Sequence, residues 1–358
     1  MITTHMRKET KKRGIQWSSA FRYILLCSIV TASVSCSDRK DEKKSIGAKE
    51  LTTFNGTAMT INYHVDVGQK LTGEEKSRCE KIIKSSFSEI DEIYNKWNPQ
   101  SELSQINQAR SGKKIKVSKK LINFLQKCDH FVTLSNGRFD PTIEPIQALW
   151  KKQLEQNREP TEQEIEKLRP AIGWDKLIIE PDGVTKKHPL TQLDLSAIAK
   201  GYAIDLITER LNAIGLHDLF IDWGGEIRAT GNHPQGRHWT VYIANLNDTN
   251  PENALAYTPL IDQSIATSGD YLQQWTVIHP DGTTTHYTHV FDPKTLRPLE
   301  ITKTSVASAS VLVKDCQTAD ALATMLLLCP NMQEAKELAV KIQKEYPDCA
   351  IWLMGHSS

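Results

Sequence analysis

Apolar positions recur along this chain with two different periods, and the changes of period mark its elements. Ile61, Tyr63 and Val65 alternate with polar neighbours, which predicts a strand over residues 59–67. Ile82, Ile83, Phe87, Ile90 and Ile93 then recur at helical spacings, predicting a long helix over 74–94. A second helix is expected over 119–135, stopped by Asn136-Gly137. Residues 161–168 read as a short charged helix in which Thr161 and Glu164 stand at capping-box spacing. Leu193-Asp194-Leu195 reads as a short apolar strand that turns abruptly into a helix over 197–214, closed by Gly215. Short strands separated by turn residues fill 218–310, and helices over 317–328 and 332–346 follow. The order lacks the regular strand–helix alternation of a parallel sheet, so the expected class is α+β, with mixed antiparallel sheets and flanking helices. No internal repeat and no second membrane-type stretch are present.

The first 36 residues follow a different pattern. Arg7, Lys8, Lys11, Lys12 and Arg13 form a basic start, and 23–34 is an apolar run too short for a comfortable membrane span. Small residues lead into Cys36, which resembles a bacterial lipoprotein signal with Cys36 as the lipidated new N-terminus; Ser33 stands where such signals most often carry leucine. An ordinary cleaved signal or a retained anchor are the alternatives. The polar run 37–44 cannot form a core and reads as a solvated tether. Removing residues 1–35 takes away six basic residues and one acidic one, leaving 38 Lys/Arg against 42 Asp/Glu, a net of −4. That balance offers no basic field to nucleic acid. Beyond Cys27 and Cys36, the five cysteines at 79, 128, 316, 329 and 349 lack CxxC spacing and matching histidines, which argues against zinc.

Six runs carry candidate chemistry. In 193–203, Asp194, Ser196, Lys200 and Gly201 cluster where a strand meets a helix start, a place suited to a phosphate because of the unpaired N–H groups and the lysine; an ordinary junction with a solvent lysine is the alternative. Gly201 lets backbone or ligand come close. Asp320 and Thr324 share one helix face and offer hard oxygens to magnesium, or else are a surface acid and a threonine bonded back to its own helix. Gly224-Gly225 marks a tight turn, a plain hairpin or a ligand loop. His289, near Phe291 and Asp292, is a candidate general base or a structural histidine. Trp97 precedes a turn, where its ring could lie over a flat ligand or pack on the core. Asn136 to Ile143 forms another aromatic–acid–proline turn around Phe139 and Asp140.

In this order the runs resemble the FAD:protein FMN transferase family, the ApbE-like flavin transferases. The resemblance extends from about Gly56 to the C-terminal helices and rests on 194–202, the Gly224-Gly225 turn, the Ala-Thr-Ser-Gly-Asp-Tyr run at 266–271, His-x-x-Asp-Pro at 289–293 and Ala-Asp-Ala-x-Ala-Thr at 319–324. It implies two closely coupled lobes forming one ApbE-like catalytic domain over 51–358, after a signal at 1–35 and a tether at 36–50. It further implies FAD as substrate, Mg2+ as cofactor, and transfer of FMN to a threonine of an acceptor protein, such as an electron-transport flavoprotein subunit, with release of AMP. Asp320, Thr324 and the backbone carbonyl of Ala197 would hold the metal, with the Ala323 carbonyl as a further ligand. Lys200 and the helix start would bind the pyrophosphate. Met59, Trp97, Phe139, Asp140, Asp194 and Phe291 match positions near the flavin or adenosine, and His289 would be the base. Three positions depart from the family pattern: Thr60 follows Met59 where glycine is usual, Glu226 follows the Gly-Gly turn where aspartate is usual, and Leu296 replaces a glycine. A magnesium-dependent FAD pyrophosphatase and a non-catalytic flavin-binding lipoprotein are the rival readings. A membrane-anchored location outside the cytoplasm, on the periplasmic face, is expected.

Overall fold

The single strand predicted over 59–67 is instead the second half of a hairpin. Met59 and Thr60 both have positive φ, 45° and 70°, as a two-residue type I′ turn requires. Ala58 pairs with Ile61 across that turn. The computed structural model describes residues 50–356 apart from 247, 249, 271–273 and 280. The signal segment, Cys36, the tether up to residue 49 and Tyr271 lie outside the described residues.

The chain starts with β1 (Thr52–Ala58), β2 (Ile61–Val67), α1 (Gly73–Tyr94), α2 (Glu102–Gln108), β3 (Lys114–Ile115) and α3 (Lys119–Leu134). It continues through α4 (Glu144–Leu154), α5 (Glu162–Leu168), β4 (Leu177–Glu180), β5 (Gly183–Lys186) and α6 (Ser196–Asn212). Next come β6 (Leu219–Trp223), β7 (Glu226–Thr230), β8 (Trp239–Ile243), β9 (Ala256–Leu260) and β10 (Gln263–Gly269). Then follow β11 (Gln274–Ile278), β12 (Thr284–Asp292), β13 (Arg297–Glu300), β14 (Val306–Val313), α7 (Cys316–Leu327), α8 (Met332–Glu345) and β15 (Ala350–Gly355).

The main sheet has seven strands in the order β1-β2-β6-β7-β10-β14-β15, every neighbour antiparallel. Alternation assigns its two faces. Leu219, Ile221 and Trp223 point into the core shared with α1, α6 and α7, whereas Phe220 points to the opposite face, against Trp239, Val241 and Ile243 of β8. A smaller core joins α4 and α5 to the three-stranded sheet β11-β12-β13 around Trp150, Tyr287, Phe291 and Leu296. The α+β class with antiparallel sheets and flanking helices is therefore the observed one.

Helix ends follow their caps. Thr72 and Glu75 form a capping box before α1, and Thr161 and Glu164 form the predicted one before α5. The expected strand at 193–195 does not form; only Gln192 makes a single bridge, to Ile143, and the chain then enters α6 directly.

Candidate functional site

Two helices set the site. Gly201 of α6 meets the start of α7 so closely that a Cβ there would lie 2.2 Å from the Cys316 carbonyl oxygen. The glycine thus admits backbone, and this contact brings the faces bearing Lys200 and Asp320 together. The Gly201 N–H donates to Asp320 Oδ2 at 3.0 Å. Regular helix geometry aims the same N–H at the Ala197 carbonyl. Asp205, one turn further along α6, accepts the backbone N–H groups of Cys316 and Gln317 at 2.9 Å each and pairs with Arg228 of β7. Together these bonds fix the register of α6 against α7.

A cavity of about 270 Å3 opens beside this crossing. Its polar lining includes Ala197, Lys200, Asp320 and Thr324, together with Ser196, Thr267 and Ser268 from runs singled out in the sequence. Ser268 Oγ lies 3.2 Å from Thr324 Oγ1. The lining also includes Phe139, Asp140, Asp194, His289 and Phe291, joined by Arg138 and Gln147. Nine of the twelve residues expected from sequence thus share one space.

Three do not. Met59 sits in the β1–β2 turn, partly buried against the main core and away from the cavity wall. Trp97 is 74% exposed, because the turn after α1 projects outward, and it is not part of the wall. Ala323 is fully buried in the middle of α7, where regular geometry hands its carbonyl to Leu327. The Gly224-Gly225 pair is a two-residue hairpin turn between β6 and β7, with φ of 69° and 99°, and Gly224 also faces the cavity.

Charge around Lys200 is concentrated. Lys200 pairs with Glu226, which is only 1% exposed. Burial pushes the Glu226 carboxyl up to about 8, against the pull of Lys200. Burial opposes the Lys200 charge, but Glu226 and Asp320 raise its pKa and keep it a cation. Burial also raises Asp320, with Lys200 acting in the other direction. Burial opposes ionisation of Asp194, yet Lys96 wins and holds its pKa below the ordinary value.

These oxygens fit magnesium. Among the described residues no group of three or more His, Cys, Asp or Glu side chains could hold a metal ion. One carboxylate, two hydroxyls and the Ala197 carbonyl make a sparse, hard-oxygen set, which suits an ion that keeps several of its waters. Sequence reading missed Lys96, Arg138, Gln147 and Ser268. Lys96 stands next to Trp97, Arg138 inside 136–143 and Ser268 inside 266–271, and their neighbours drew the attention.

The sequence matches the ApbE family over residues 56–348. A Chlamydia pneumoniae protein named FAD:protein FMN transferase is 37% identical over 294 residues, covering 82% of this chain and 89% of that protein. Among solved structures, the flavin transferase ApbE from Vibrio cholerae aligns with a TM-score of 0.72 at 27% identity, covering 85% of this chain and 93% of that one. The apo flavinyl transferase ApbE of Pseudomonas stutzeri aligns with a TM-score of 0.75 at 24% identity, covering 88% and 94%, and supports the fold alone.

Proposed function

The chain belongs to the ApbE family, and from that premise we propose that it is an FAD:protein FMN transferase which uses Mg2+, moves FMN from FAD onto a threonine of an acceptor protein and releases AMP. The observation that carries this reading is the meeting of a lysine, an acid–hydroxyl pair and a histidine in one cavity, from α6, α7 and β12. The reacting bond is a phosphoanhydride, so catalysis is chiefly positioning and charge neutralisation.

Lys200 and the start of α6 bind and orient the diphosphate. Phe139 and Phe291 give the cavity apolar walls that exclude water. His289 takes the proton of the incoming threonine hydroxyl while its oxygen bonds to the phosphorus on the FMN side. The bond from that phosphorus to the bridging oxygen breaks, and AMP leaves with the electron pair. Asp320, Thr324 and the Ala197 carbonyl would hold Mg2+, which supplies neutralisation of phosphate charge when bound.

The deciding assay mixes the protein with FAD, a magnesium salt and a threonine-bearing acceptor protein, with and without a chelator. A fluorescent acceptor band that needs metal, with one AMP per flavin attached, is the expected result. FMN and AMP without a labelled acceptor would make the protein a pyrophosphatase, and intact FAD would make it a binder. We further propose residues 1–35 as an export signal, lipidated Cys36 with the 36–50 tether as the membrane anchor, and 51–358 as the catalytic domain outside the cytoplasm. Cys36→Ser should move the protein from the membrane fraction to the soluble one.

A further inference from the structure

The least expected feature behind the cavity wall is a buried lysine. Lys96 follows α1, yet its side chain is only 8% exposed. Its ammonium lies 2.8 Å from Asp194 Oδ2 and also bonds Glu144 at the start of α4. The same ammonium sits 4.9 Å from the centre of the Trp97 ring, so the indole has one face on a fixed cation. Gln147, one turn along α4, faces both acids, and with its amide turned nitrogen-inward it would donate to Asp194 at 2.9 Å and to Glu144 at 3.2 Å. Asp194 Oδ1 in turn accepts the Ser196 N–H at 2.8 Å, at the first residue of α6. One ammonium therefore joins the turn after α1, the start of α4 and the entry to α6.

We propose that Lys96 is a positioning residue for dinucleotide binding: it ties Glu144 and Asp194 into the cavity wall and carries the Trp97 indole on the same anchor. The proposal rests on the reading of this cavity as an FAD site. Without Lys96, two largely buried carboxylates would face each other across the wall. Lys151 is another cation within electrostatic reach of both, and burial with Lys96 nearby already weakens its hold on its proton. Repulsion would then move Asp194 and Gln147, the two members of the cluster that line the cavity. Trp97 accounts for its own exposure on this view: its outer face is left open at a fixed place for a planar ring.

The test is FAD titration by flavin fluorescence, in magnesium buffer, of wild type, Lys96→Met, Glu144→Gln and the double variant, each with a melting curve. Lys96→Met should weaken FAD binding by about tenfold or more, since one partner of a buried charge cluster is gone. The double variant should recover at least about threefold of that loss, because neutralising Glu144 removes the exposed repulsion. That rescue is the readout a merely structural lysine would not give. Should Lys96→Met fail to fold, the double variant is expected to fold and bind; its failure overturns the proposal. Binding by Lys96→Met within about twofold of wild type, or a loss that Glu144→Gln does not relieve, also overturns it. Wild-type protein that binds no FAD would defeat the transferase reading itself, a separate result from wild-type binding with an unaffected Lys96→Met.

Discussion

Single residues show which departures from the family pattern are tolerated and why. Thr60 and Leu296 both stand where glycine is usual, and both have left-handed backbone, with φ of 70° and 58°. Their contexts differ. Thr60 is exposed, so Thr60→Gly should relieve about 1 kcal/mol of strain and lose about half of it to chain entropy, a net gain. Leu296 is 1% exposed in the smaller core, and its carbonyl accepts the Trp150 indole N–H at 3.0 Å. Leu296→Gly should relieve a similar ~1 kcal/mol but forfeit about 3 kcal/mol of packing, so burial wins and the protein loses about 2 kcal/mol. Chemical denaturation of both variants checks the opposite signs. In the polar lining of the cavity, Asp320→Asn keeps an acceptor for the Gly201 N–H while removing the charge. Transfer should fall by about two orders of magnitude or more with little change in melting temperature. Normal transfer by that variant would refute the metal assignment.

Elements explain how distant residues reach one site. The α6–α7 crossing depends on Gly201, whose added Cβ would meet only backbone atoms: the Cys316 oxygen at 2.2 Å, the Cys316 carbon at 2.6 Å and the Gln317 Cα at 2.8 Å. Alanine would gain about 1 kcal/mol of helix propensity but force two backbones apart at a cost of about 3 kcal/mol. Gly201→Ala should therefore destabilise by roughly 2 kcal/mol and also lower transfer, since the faces bearing Lys200 and Asp320 separate. Calorimetry and the acceptor assay together check it; loss of stability with unchanged transfer would show that the crossing does not set the site. Most helices were legible within a residue or two at each end, because capping residues and apolar spacing are local signals. β1, α2 and α4 were missed, as were the strands β3, β4, β5 and β15. Only Phe54 marks the inner face of β1 among polar neighbours, whereas α4 did carry a signal in Ile146, Trp150 and Leu154 at four-residue spacing after Pro145.

On the scale of the whole molecule, the five cysteines at 79, 128, 316, 329 and 349 are all free and buried, and burial raises each thiol above its ordinary range. The domain 51–358 should take up thiol reagent only on unfolding, and reductant should leave its melting temperature unchanged; rapid labelling of the native domain would contradict this. By itself the sequence determined the class of fold, the helices with strong periodicity and the identity of the groups that meet in the cavity. The first two follow from local spacing; the cavity groups follow from short runs of chemistry and turn residues together with the family resemblance that those runs carry. Only the tertiary structure decided that Trp97 stands outside the wall, that Gly201 serves a helix crossing, and that Lys96 joins Glu144 and Asp194 across 48 and 98 residues of chain. The physical reason is that a buried charge finds its partner by packing, and no local period along the chain records which distant acid packing will bring to it.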